Sequence, residues 1–447
     1  MLGVLRHQTY RRLFLAQVIA LLGTGLATVA LALLAYRIAG PLAGVVLGTA
    51  LAIKMTANVI IAPVANALLA HLPRRVVLVS LDAVRAGVAV LLPWVDAVWQ
   101  IYVLVFVLQA ASAAFTPVFQ ATIPDLLTGE DDYTHALSLS RLAYDSERLL
   151  SPALAAAALA VVGPSSLFLG TAMGFAASAL LVVSTVLPRT RPTSAGGGLF
   201  TRTSLGVRHY LSIPRLRGLL GLHLAVAASG AMVLVNTVTL VQHDLARSET
   251  DVTLALGAYG TGSLLTALAL PRVLRRVDER RLMLGGSAAG AAVLLASTAA
   301  LHSGSGGSWP GLLLAWALLG AAGALVLTPA GRLLRRSADS SHRPALFAAD
   351  YALSHGCWLI TYPLAGWLAT TSSATVTLLV LATMTAAATA LAAYAWPTDD
   401  RNAHEHDHHD LPPDHPHLDD AQLVGTTGAW RHTHTYRLDD NHRSWPG

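Results

Sequence analysis

Twelve apolar stretches of about 20 residues or more recur along this 447-residue chain, and they leave few folds open to it. They run at 13–38, 41–70, 76–95, 99–121, 136–162, 165–187, 216–242, 252–274, 282–301, 310–331, 345–369 and 374–396. In hydrocarbon every backbone N–H and C=O must find its partner within the chain, so segments of this kind cross a bilayer as helices. Only 12% of the residues are charged, against about a quarter in an average soluble domain. The expected fold class is an all-α membrane protein with twelve transmembrane helices, and its main partner is the lipid bilayer. The first stretch follows Arg6, Arg11 and Arg12 as a signal peptide's would, but it is too long for one and reads as an uncleaved helix.

The arginines orient the spans. With the N-terminus inside, the inner loops hold twenty: Arg6, Arg11 and Arg12; Arg74 and Arg75; six from 189 to 217; five from 272 to 281; and four from 332 to 343. The outer loops hold two, Arg37 and Arg247. Basic residues mark the cytoplasmic side, so both termini are expected in the cytoplasm of a bacterial-type inner membrane. The alternation also supports the span count, because one missed helix would scramble it. The basic loops are topogenic, so a pI near 9.5 does not point to nucleic acid.

Four regions follow: a six-helix half (1–187), a cytoplasmic linker with an amphipathic stretch from Leu199 to Ile213 (188–215), a second six-helix half (216–396), and a tail (397–447). Arg74-Arg75-Val-Val-Leu is echoed 206 residues later by Arg280-Arg281-Leu-Met-Leu, as a parallel duplication of six helices predicts. Gly260-Thr-Gly262 lies inside the eighth stretch and is no nucleotide loop; no Walker sequence occurs, so the chain has no ATP-driven engine of its own. Gly170-x-x-x-Gly174 and Gly286-x-x-x-Gly290 suit close helix contacts. The chain is not expected to be an enzyme.

An ionised group at the bilayer centre costs about 2.5–3.5 kcal/mol on insertion scales, so those inside the stretches are functional candidates. They are Lys54, Asp82, Arg85, Asp145, Glu147, Arg148, His223, Asp350 and His355. Lys54 is the only lysine and suits a pair with a carboxylate. Arg141, Asp145 and Arg148 share one helical face, so Asp145 is charge-compensated there. Glu147 points about 200° away from Asp145, with Ala143 and Ser151 at i±4. That makes Glu147 the better proton-coupling candidate; an ion pair to Lys54 or Arg85 is its structural alternative. In the eleventh stretch Asp350, Ser354 and Cys357 share one face and Tyr351, His355, Trp358 and Tyr362 another. Hence His355 and Cys357 cannot close on one ion within a regular helix. Cys357 is the lone cysteine, so no intramolecular disulfide exists; it reads as a small buried hydrophobe. His223 reads as structural.

Residues 397–447 hold nine of the eighteen histidines and ten acids against four arginines. That composition suggests disorder. Histidine-rich tracts also suit nickel, zinc, copper or cobalt, and the expected ligands are His404, His406, His408, His409, His415, His417, His432 and His434. An acidic solubilising tail is the alternative.

Several segments resemble the major facilitator superfamily: Asn66 to Arg75, which keeps only Leu68, Arg74 and Arg75 of its Gly-x-Leu-Ala-Asp-Arg-x-Gly-Arg-Arg loop signature; Asp82-Ala-Val-Arg85; and Phe115 to Pro152. Residues 328–337 and 351–367, with the tail segments from Asp410 and His432, resemble nickel-resistance exporters with histidine-rich C-termini. That resemblance implies a proton-coupled antiporter conferring metal resistance. It would export a divalent transition metal near the midplane between two halves, as a monomer without a cofactor. The metal is then cargo or tail ligand. The rivals are an exporter of drug-like or siderophore-like organic molecules and a non-transporting membrane sensor whose tail reports metal.

Overall fold

A computed structural model describes residues 2–39, 43–69, 71–159, 161, 164–188, 199–238, 240–241, 245–302, 309–398, 403–408, 422–424 and 429–435. The first half contains α1 (Gln8–Ala39), α2 (Ala43–Leu69), α3 (Arg74–Leu91), α4 (Val98–Leu126), α5 (Glu130–Leu159) and α6 (Pro164–Val183). A shorter helix, α7 (Leu199–Ser212), occupies the expected amphipathic stretch of the linker. The second half contains α8 (Pro214–Val238), α9 (Glu249–Val273), α10 (Glu279–His302), α11 (Trp309–Leu327), α12 (Ala330–Ser337), α13 (Arg343–Thr371) and α14 (Ala374–Ala395).

Apart from α7 and α12, the described helices are the twelve expected, and ten of them are long and apolar enough to cross a membrane. The two that fall short are α5 and α13, which carry Glu147, Asp350 and His355.

Several ends differ from the sequence expectation. The tenth span stops at Leu327 instead of 331, because Pro329 disfavours helical backbone at Thr328, and α12 restarts beyond it. Helix α5 begins at Glu130 rather than 136, since Glu130, Asp131 and Asp132 suit the positive end of a helix dipole. Helix α4 runs on to Leu126 through Pro117 and Pro124.

Buried apolar clusters are almost confined to one half each. Two draw only on residues before 188 and one only on residues after 230. The fourth adds Ala121 of α4 and the linker residues Tyr210 and Ile213 to residues of the second half. The halves meet where α13 lies against α2 and α4, and where α5 lies against α9. Within the second half α9 and α11 touch backbone to backbone. A Cβ at Gly262 would collide with the Ala317 carbonyl, and one at Gly320 with the Tyr259 carbonyl. The expected small-residue contacts also occur: Gly174 approaches Gly23 of α1, and Gly286 approaches Leu325 of α11.

The tail holds three described strands, β1 (Ala403–His408), β2 (Gln422–Val424) and β3 (Ala429–Thr435), paired antiparallel in the order β1-β3-β2. Trp430, Thr433 and Thr435 give β3 the residue types that suit a pleated surface. His409, His415 and His417 lie outside the described residues.

Candidate functional site

Helix α13 is the spine of the inter-half region. Its Asp350 Oδ1 lies 3.0 Å from His223 Nε2 of α8 and accepts a hydrogen bond from the Tyr210 hydroxyl of α7 at 3.0 Å. His223 is 6% exposed and the Asp350 side chain 14%, so the pair is shielded yet not sealed. Cys357, two turns on, is within electrostatic reach of Asp350.

The neighbouring face of α13 reaches towards the first half. Tyr351 sits near Thr116 of α4, Tyr144 of α5 and Arg85 of α3. The His355 ring stacks on Tyr351 with centroids 4.1 Å apart, and its Nδ1 lies 2.7 Å from the Tyr351 carbonyl oxygen. His355 also feels the charges of Lys54 on α2, His223 and Asp350. The structure thus gathers Lys54, His223, Asp350 and His355 around α13. Sequence reasoning singled out His223 as structural and gave it no partner; Tyr210 was not singled out at all. No spacing signal links residues 127 and 140 positions apart.

Asp82 and Arg85 form a separate unit inside the first half. They are ion-paired, and Ser178 donates to Asp82 Oδ2 at 2.8 Å. The Arg85 guanidinium lies between the rings of Phe115 and Phe175, 4.1 and 4.6 Å from their centroids. Glu147 lies on α5, the helix whose Arg141 donates to Ser263 of α9 at 3.0 Å. The side chains of Asp145 and Arg148 lie outside the described residues.

At the arginine-rich end the halves are clamped. Asp125 of α4 pairs with Arg74 of α3 at 2.7 Å and with Arg343 of α13. Arg332 of α12 pairs with Glu130 of α5 and Glu279 of α10, and donates to Thr134 at 2.6 Å. The Tyr133 hydroxyl donates to the Gly331 carbonyl at 3.1 Å, and Arg275 meets Asp131 at 2.9 Å. Beside this clamp, His209 of α7 faces His342 with ring centroids 5.8 Å apart, and His342 bonds Asp339 at 2.8 Å. Burial, with His342 adding to it, pushes the His209 imidazole down to about 4.

Residues 219–437 match the family model of the Major Facilitator Superfamily. Solved structures agree over a longer range. A bacterial homologue of the iron transporter ferroportin, in an outward-facing state, superposes with a TM-score of 0.70 at 17% identity, covering 87% of this chain and 99% of that one. This is the major facilitator fold. The human organic anion transporter MFSD10 (TETRAN) has the same fold, with a TM-score of 0.72 at 14% identity over 87% of this chain and 99% of its own. The ferroportin homologue with soaked iron gives 0.66 at 16% identity, over 86% of this chain and 98% of that one. No curated protein matches the sequence. Helix α13, which carries Asp350 and His355, packs on α8 of its own half and on α2 and α4 of the other. In the membrane portion no three His, Cys, Asp or Glu side chains among the described residues are grouped so as to hold a metal ion; the side chains of His404, His406, His408, His432 and His434 lie outside the described residues.

Proposed function

We propose that the chain is a proton-coupled exporter whose cargo is a divalent transition-metal ion such as nickel. The carrying observation is the His223–Asp350 pair, part-buried between α8 and α13 and within reach of His355. Imidazole nitrogen and carboxylate oxygen are borderline-to-hard donors that hold such ions. The same two groups take up protons, and a metal binds them only once the protons have left. Cargo and proton then exclude one another at one place, which is the chemical core of an antiporter. Lys54, within electrostatic range of His355, and Glu147 on α5 are proposed to tune or share the proton. Asp82 and Arg85 are proposed to hold the first half in shape beside the pathway. Asp145 and Arg148 are kept as pathway residues on the sequence reading alone.

The fold neighbours are compatible with this cargo: the bacterial ferroportin homologue is described as related to an iron transporter and has been soaked with iron. If the arginine-rich end is cytoplasmic, as the loop charges suggest, the clamp there corresponds to closure on the inner side. The histidine tail then lies beside the inner mouth and is proposed as a capture site.

A second reading, export of an organic molecule, draws on a different observation. The core groups no third metal ligand among the described residues, and a fold neighbour is an organic anion transporter. Proteoliposomes decide between them. Counterflow of nickel, cobalt or zinc driven by an imposed pH gradient, lost in Asp350→Asn, supports the metal reading. Flux of an organic dye with no metal flux under the same gradient overturns it.

A further inference from the structure

The register of the tail strands sets histidines directly against one another. In the β1–β3 pair His404 lies opposite His434, and His406 opposite His432. Opposed residues of an antiparallel pair share a face of the ribbon, as do residues two apart along one strand. Positions 404, 406, 432 and 434 therefore make a two-by-two block on one face. The next row along is His408 opposite Trp430, and Leu423 of β2 lies opposite Trp430 on its other side. The reverse face takes Glu405 opposite Thr433 and Asp407 opposite Arg431. Imidazole positions and acidic positions are thus sorted to opposite faces, which a merely solubilising acidic tail would not require.

The block has the dimensions of a chelate. Opposed Cβ atoms stand about 4.5–5.5 Å apart, and like-facing neighbours along a strand about 7 Å. Imidazole nitrogens hold a transition ion at about 2.0–2.1 Å, so an opposed pair spans one ion and the adjacent row can complete its shell. A pair of strands is marginal alone in water, β2 adds only Gln422–Val424 to it, and bringing β1 to β3 across the intervening residues costs chain entropy. A bound ion opposes both costs, because binding to a site absent from the open chain is coupled to folding.

We propose that β1 and β3 form one site for a borderline divalent metal ion from His404, His406, His432 and His434, and that the ion fixes the strand register. It rests on the metal-cargo reading only for its purpose, capture of cargo; binding itself needs no transport.

The test keeps the histidine count constant. In the full-length protein in detergent, His432→Thr combined with Thr433→His moves one imidazole to the acidic face. Nickel or zinc is titrated by equilibrium dialysis, and backbone hydrogen exchange of 403–408 and 429–435 is followed with and without the ion. Affinity is expected to fall by on the order of tenfold or more, the scale on which even outer partners of metal ligands act. His415→Ala with His417→Ala should leave the tightest site unchanged, and the strand amides should slow only when metal is bound. If the swap binds as tightly as the native chain, or the amides ignore the metal, the site is overturned. Native protein that binds in this way but carries no metal flux overturns the cargo reading and leaves the site standing.

Discussion

Asp350 joins three helices through two hydrogen bonds, to His223 and Tyr210. Replacing it with asparagine keeps the shape and removes the charge. Asp350→Asn is expected to abolish most pH-driven flux while the protein still inserts, as read in proteoliposomes and by size-exclusion chromatography. A hydrogen bond to a charged group contributes about 1.5–3 kcal/mol, so a moderate fall in thermal midpoint should accompany it. Glu147→Gln separates the second candidate: if Glu147 carries the coupling proton, flux loses its dependence on the pH gradient, and unchanged dependence assigns Glu147 to structure. Much of this site was legible in the sequence as a short list of charges placed where the bilayer penalises them. What was not legible was who meets whom. His223 looked structural because its partner lies on another helix, and Tyr210 was hidden in a linker whose arginines suggested only topology.

Helices α7 and α13 meet at the arginine-rich end, where Gly206 admits the Ala345 carbonyl so closely that a Cβ would collide with it. His209 makes that docking pH-sensitive. In the docked helix its imidazole is held down to about 4; undocked it titrates near 6.5. Above about 6.5 both forms are neutral and docking does not depend on pH. Below that only the undocked form takes up the proton, so docking weakens until about pH 4 and no further. Hydrogen exchange along α7 at about pH 7.5 and 5, corrected for intrinsic rates, should show this opening, and His209→Gln should remove the difference. The α9–α11 crossing gives a stability test. Gly320→Val drives methyl groups into the Tyr259 carbonyl, and overpacking of this kind costs about 1–3 kcal/mol; a lower midpoint in a detergent melt checks it. The existence of these helices was written in hydropathy, but their ends were not. Ends depend on local chemistry such as Pro329 and the acidic first turn of α5, which a smooth apolar average blurs.

The molecule as a whole consists of two internally packed halves held together at the arginine-rich end. Arg332 reaches Glu130 and Thr134 across the halves and Glu279 within its own, while Glu279 keeps Arg336 at 3.4 Å. Arg332→Ala should therefore loosen closure by about 1 kcal/mol, because the pair to Glu130 is exposed and the bond to Thr134 is the more shielded contact across the halves. Spin labels on α5 and α10 near this end should report a longer distance population; an unchanged distribution would place the clamp's strength elsewhere. Which side this end faces is tested in a Cys357→Ala background. Ser372→Cys should label from outside sealed cells and Val277→Cys should not, and the reverse result overturns the assigned orientation. The alternation of arginines gave this orientation its basis, but nothing in it foretold that several of the same arginines would also bind the halves together.

The shortfall of α5 and α13 in apolar character has a consequence for how the protein is made. A nascent helix partitions into the membrane one segment at a time, and these two gain least from doing so. They are the segments that carry Glu147, Asp350 and His355. Each must be received by its packing neighbours: α1 and α9 for α5, and α2, α4, α7 and α8 for α13. Synthesis order supplies every host of α13 before it emerges from the ribosome, whereas α5 must wait for α9. A chain lacking its first half would then leave α13 without α2 and α4, stranded at the membrane surface and exposed to quality-control proteases.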